Sequence, residues 1–153
     1  MSLAKMVQGL RLPFLTGSVL PALAAAAYAR RSAEISALDV VLVALAVALL
    51  HEGSNLFNDY YDTDTTDRVN RFATPFSGGS RIVLDGTMSA RSVFILSTAL
   101  FMAAGLIAVY FTMKGRPLVW AIGLAGAAIG FFYSSRALQL MSRGWGELCI
   151  FVA

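Results

Sequence analysis

The sequence predicts an all-α fold, a multi-pass transmembrane helical bundle, and three observations carry that prediction. Of its 153 residues 58% are hydrophobic and only 14% charged. The mean hydropathy of +0.69 is too apolar for a soluble domain of this length. Several stretches run almost free of charge, and a bilayer core takes about 20 apolar residues at about 1.5 Å of rise each. No segment alternates with the period-two pattern of a strand.

The elements follow in order. A first span is expected over residues 12–29, with Pro13 and Pro21 bending it, which membrane helices tolerate when neighbours satisfy the freed carbonyls. No small-residue cleavage site precedes it, so it is expected to stay as a helix rather than to be removed as a signal peptide. A second span is expected over residues 38–58, long enough only if its polar last two turns are counted. Residues 59–91 form a long polar loop broken by Gly78, Gly79 and Gly86, with five of the nine acids and four arginines; such loops are usually functional or disordered. Spans over 92–113 and 117–135 follow, and residues 148–153 open an incomplete fifth, all within a single domain over 1–153. The short connections near residues 30–36 and 114–116 make consecutive spans antiparallel hairpins. "GAAIG", Gly126 to Gly130, has the GxxxG spacing of close helix approach.

Charge orients the bundle. If the spans alternate, one side carries Lys5, Arg11, Arg68, Arg71, Arg81, Arg91, Arg136 and Arg143, and the other Arg30, Arg31, Lys114 and Arg116. The positive-inside rule then puts the N-terminus and the 59–91 loop in the cytoplasm, on the inner face of the cytoplasmic membrane. Anionic lipid headgroups account for the net charge of +3, so no nucleic-acid partner is expected. The lone Cys149 excludes an internal disulfide and a cysteine-only metal site.

The chemistry sits where the second span turns polar, in "HEGSNLFNDYYDTDTTD" from His51 to Asp67. At about 100° per residue, His51, Glu52, Asn55, Asn58, Asp59 and Asp62 share one arc of about 120°. Leu56, Phe57 and Tyr60 lie outside it or at its edge, so the stripe is expected to face an interior cavity. A carboxylate at membrane depth costs about 2.5–3.5 kcal/mol on insertion scales and is seldom placed there without a partner. Asp59 and Asp62, one turn apart, can share a divalent cation, with Asn58 and Asn55 as neutral oxygen ligands. Such hard donors suit Mg²⁺, which completes its shell with water and phosphate oxygens, and so point to a phosphorylated ligand. A calcium loop over "DTDTTD" is disfavoured, because Asp67 stands where its glycine belongs and Ala73 where its glutamate belongs. His51 reads as a hydrogen-bonding neighbour in preference to a base. Tyr60 and Tyr61 fit either a pocket whose aromatic faces favour a carbocation or an interfacial belt. Arg68 and Arg71 fit either phosphate or lipid headgroups.

"NLFNDYYD" followed by Asp67 resembles the first aspartate-rich motif of the UbiA superfamily of membrane prenyltransferases, nearest to its 1,4-dihydroxy-2-naphthoate branch in menaquinone synthesis. "GLRLPF", "SGGSRIVLDGTMS" and "YSSRALQLMSRGWGEL" resemble it at three further places, in the right order. The resemblance implies that Asn58, Asp59 and Asp62 bind diphosphate through Mg²⁺, with Asp67 as the further acid. It implies that Arg81 touches diphosphate oxygens, a guanidinium being able to hold two at once. Asn55, Tyr61 and Arg71 join it as substrate-binding candidates. The implied partners are a polyprenyl diphosphate, an aromatic acceptor and the lipid bilayer. The implied reaction breaks the allylic C–O bond as charge on the departing diphosphate is neutralised, in a dry pocket that keeps water from the cation.

Full UbiA-type proteins resemble one another in having about nine helices and a second acidic motif, in the loop after the sixth, that binds the other side of the diphosphate. The present chain corresponds to the N-terminal half of such a fold and is expected to be inactive unless a C-terminal half or a second polypeptide completes the site. The rival reading is a non-catalytic membrane bundle or half-transporter that uses the polar stripe to bind an ion or a lipid headgroup.

Overall fold

The structure, a computed structural model, describes residues 11–72 and 79–152. Lys5, Ala73, Gly78 and Ala153 therefore lie outside the described residues. The chain forms helices α1 (Leu12–Ala29), α2 (Ala37–Asp62), α3 (Thr66–Val69), α4 (Ala90–Met113), α5 (Leu118–Ser134) and α6 (Gly146–Val152). A wide turn over Met141–Trp145 precedes α6, with Gly144 at φ 82. This is an all-α membrane bundle, and α1, α2 and α4 have the length and apolarity to cross a bilayer.

Local chemistry explains where the helices start. Pro13 occupies the first turn of α1, where its missing N–H costs nothing, so only Pro21 lies within the helix. The hydroxyls of Ser36 and Ser89 cap α2 and α4 by accepting from the N–H groups of Asp39 (3.0 Å) and Ser92 (3.1 Å). The second helix does not end at Asn58 but continues to Asp62, which makes its polar turns part of the helix rather than of the loop. Helix α4 begins two residues earlier than expected, and α5 has 17 residues.

Helices α1, α4 and α5 all pack on α2. Near its polar end α2 is buried on more than the stripe: Leu56 is 1% exposed and Phe57 5%. Phe57 sits in an aromatic cluster with Phe94 and Phe101 of α4 and Phe131 of α5, ring centroids 5.3–5.6 Å apart. Leu56 packs with Val93 of α4 and Ile82 of the long loop, which pins that loop against the bundle. At the other end Asp39, 2% exposed, accepts from Lys114 Nζ (2.8 and 3.0 Å) and the Tyr110 hydroxyl (3.1 Å), with Arg116 at 3.7 Å. That hydrogen bond with Asp39 is the main cause of a raised Lys114 pKa.

Two glycines permit the close packing. Ser54 fills the space that a Cβ on Gly130 would take, whereas Gly126, its partner in "GAAIG", faces open space. Gly53 lies under the Phe101 ring, and a Cβ there would come within 2.5 Å of Phe101 Cδ2. Gly53→Val is therefore expected to destabilise the protein by ~1–3 kcal/mol, read as a lower thermal-unfolding midpoint in detergent. Gly17→Ala, made in the same helix bundle at a position with nothing within 4 Å, should leave the midpoint unchanged or raise it.

Candidate active site

The last turns of α2 and the short α3 carry three carboxylates into the bundle: Asp59 and Asp62 of α2 are 1% and 6% exposed, and Asp67 of α3 is 2% exposed. Each has its own solution to burial. Asp59 Oδ1 accepts from Arg11 Nη2 (2.8 Å) and from the Ser80 N–H (2.9 Å), and its Oδ2 accepts from the Ser80 hydroxyl. Arg11 enters from the residue before α1, in a left-handed conformation at φ 44. Ser80 is held over α2 because Ile82, two residues on, is buried against Leu56 and Val93.

Asp67 Oδ1 accepts from the Gly79 N–H at 3.0 Å. Gly79 lies so close that a Cβ there would overlap the Asp67 carboxylate. The other oxygen, Oδ2, is buried without a hydrogen-bond partner among the described residues. Burial, and then the Asp59 charge, push the Asp67 pKa up, against the pull of the Gly79 N–H, Arg11 and Arg81. Asp62 accepts from Asn58 Nδ2 at 2.8 Å, and the same amide donates to Ser134 of α5.

The structure therefore gathers Asp59 and Asp67 beneath the Gly79–Ser80 segment, and sets Asn58 and Asp62 beside α5. Asn55 lies between His51 and Asp59 on the stripe, its Nδ2 buried and without a partner among the described residues. Arg81 makes no ion pair with Asp59, Asp62 or Asp67 among the described residues: its Nη1 donates to the Asn70 carbonyl (3.1 Å) and its Nε lies 3.9 Å from Asp85. Its φ of 60 is left-handed, a cost borne by a non-glycine residue. Arg71 is exposed. Tyr61 lies off the stripe, in the aromatic cluster against Phe57 and Phe131.

Two residues of the site escaped the sequence reading as site residues, Arg11 and Ser80. Both stand inside stretches singled out by resemblance, "GLRLPF" and "SGGSR", and that was the available signal. The donor set suits a hard cation, since Asp67 Oδ2 is an orphaned buried carboxylate oxygen. No three carboxylate, histidine or cysteine groups converge into a protein-only metal centre among the described residues. Mg²⁺ needs no such cage, being held by one or two carboxylates plus water and phosphate oxygens. Arg11→Leu is expected to cost ~1–3 kcal/mol by leaving Asp59 short of its charged donor. Thermal unfolding checks this, and Asp59→Asn in the Arg11→Leu background should recover part of the loss.

Residues 18–153 match the UbiA prenyltransferase family. Over 138 residues the chain is 29% identical to a 1,4-dihydroxy-2-naphthoate octaprenyltransferase of Bacillus subtilis (strain 168), an alignment covering 88% of this chain and 42% of that protein. The chain thus spans less than half the length of the curated relative it matches. No solved structure gives a significant match. The matched region contains the whole acidic end of α2 and the loop folded over it, and the chain belongs to the UbiA prenyltransferase family.

Proposed function

We propose that the protein carries out Mg²⁺-dependent transfer of a polyprenyl group from an allylic diphosphate to an aromatic acceptor. The acceptor is 1,4-dihydroxy-2-naphthoate, in menaquinone biosynthesis. The observation that carries this reading is the buried acidic set at the end of α2, with its orphaned Asp67 oxygen, in a chain of this family. The name of the Bacillus relative supports the choice of acceptor.

Asp59, Asp62 and Asp67, with the Asn58 carbonyl, would hold the cation. When bound, Mg²⁺ neutralises negative charge on the departing diphosphate. Arg81, by rotating off the Asn70 carbonyl, donates to diphosphate oxygens, and Arg71 adds positive charge at the loop surface. Asn55 hydrogen-bonds substrate on the stripe. Tyr61 lines the apolar side, where its ring face favours a carbocation. The packed helices exclude water while the C–O bond breaks, its electron pair leaves with the diphosphate, and a ring carbon takes the prenyl group and releases its proton. These residues hold one side of the diphosphate; a second acidic motif, from further chain or from a second polypeptide, holds the other. The N-terminus and the loop lie on the cytoplasmic face of the inner membrane, where the diphosphate headgroup meets water while the isoprenoid tail stays in lipid.

The test is prenyl transfer in membranes carrying the assembled protein, with labelled diphosphate. Asp59→Ala and Asp62→Ala are each expected to lower the rate by at least ~10²-fold, the scale of losing preorganised charge stabilisation. Chelation should abolish product, and added Mg²⁺ should restore it. Undiminished product in both variants removes the metal assignment.

A further inference from the structure

Above the acidic set, the same helix carries polar atoms that the prenyl-transfer chemistry leaves unused. Glu52 is 8% exposed. Both its oxygens, together with His51 Nε2 and Asn55 Nδ2, are buried without a hydrogen-bond partner among the described residues. Each such orphan is costly, and these four atoms come from adjacent turns of one helix.

Their placement is fixed from α1. His51 Nδ1 is hydrogen-bonded to the Ser18 hydroxyl at 2.8 Å, which leaves Nε2 as the free edge of the ring. Arg11, held on Asp59 at 2.8 Å, lies near enough to His51 and Glu52 to act on both electrostatically. The orphan atoms therefore occupy the α1-facing flank of α2, between the Ser18 bond and the Arg11 bond.

Chemistry narrows what they await. An isoprenoid tail has no hydrogen-bonding atoms at all. A diphosphate brings acceptors, whereas the Glu52 oxygens need a donor. A ligand carrying both a hydroxyl and an acceptor group matches the set. Distance agrees: Glu52 lies seven residues before Asp59, about 10 Å along the helix axis. Reacting atoms meet at about 3–3.5 Å, so the separation of Glu52 from Asp59 matches the length of an allylic carbon plus one aromatic ring beyond a diphosphate at Asp59.

We propose that His51, Glu52 and Asn55 form the recognition site for a hydroxylated aromatic acid: Glu52 accepts from a ring hydroxyl, and Asn55 Nδ2 donates to the carboxylate. This rests on the prenyl-transfer reading and names the residues that select the acceptor. The Glu52 carboxyl discriminates, because a buried hydrogen-bonding site left unpaired by an analogue lacking the hydroxyl rejects that analogue.

The experiment measures equilibrium binding to the assembled protein in nanodiscs, with three probes: 1,4-dihydroxy-2-naphthoate, 2-naphthoate and Mg²⁺–geranyl diphosphate. The wild type should prefer the dihydroxy acid over 2-naphthoate by at least about tenfold, the scale of a buried hydrogen bond to a charged group. Glu52→Met, similar in length and without acceptors, should erase that preference and leave geranyl diphosphate within about twofold of wild type, well inside one hydrogen bond's effect. Glu52→Gln, keeping one acceptor oxygen, should fall between. An undiminished preference in Glu52→Met overturns the proposal, as does loss of both ligand classes from Glu52→Met and Glu52→Gln, which assigns Glu52 to the framework. Failure of the wild type to bind geranyl diphosphate overturns instead the prenyl-transfer reading beneath it.

Discussion

A carboxylate buried at the end of a membrane helix has to be compensated from within the protein, and the Asp59–Arg11 pair meets that demand here. Asp59 is 1% exposed, so three donors converge on it: one guanidinium, one backbone N–H and one hydroxyl. Their sources are far apart in sequence. Arg11 is 48 residues away and Ser80 21 residues away. Compensating one charge thus ties the entry of α1 and the long loop to α2. The Leu56–Ile82–Val93 contact supplies the apolar anchor that keeps Ser80 in reach.

The two ends of α2 treat buried acid differently, and the difference separates framework from site. Asp39 is saturated: Lys114, Tyr110 and Arg116 surround both its oxygens, all contributed from around the α4–α5 connection. Such a carboxylate pins a hairpin and has no capacity left for a ligand. At the opposite end one Asp67 oxygen, both Glu52 oxygens and the Asn55 amide remain unpaired among the described residues. Buried polar groups in native proteins are nearly always satisfied. These exceptions gather on the polar stripe of α2 and on the α3 turn that follows it, which is why the proposed ligand contacts are placed there.

Much of the fold was legible because membrane helices announce themselves by length and apolarity, as with Leu12–Ala29, whose bounds match the expected span. The polar stripe was legible because 3.6-residue periodicity places positions on a face without tertiary knowledge. What periodicity cannot supply is the partner. That Asn58 reaches Ser134, 76 residues on, and that Asp39 meets Lys114, 75 residues on, depends on how helices pack. Arg11 read as an ordinary cytoplasmic charge because nothing local distinguishes a guanidinium that meets lipid phosphate from one that meets a carboxylate. Tyr61 fits either a pocket wall or an interfacial belt from sequence alone, and only the packed helices show its ring against Phe57 and Phe131. Arg81 was legible by motif, and its contact with the Asn70 carbonyl was not, because that contact depends on how the loop folds back on itself.

Charge balance connects the Asp59–Arg11 pair to the proposed chemistry. Asp59, Asp62 and Asp67, if all ionised, bring three negative charges, and the described residues set one guanidinium, Arg11, directly on them. Burial first, and the neighbouring Asp59 charge second, push the Asp67 pKa up. At the other end of α2, Asp39 alone meets both Lys114 and Arg116. With Arg11 committed to Asp59, the orphaned Asp67 oxygen is the atom to which the proposed chemistry would bring a cation together with its substrate.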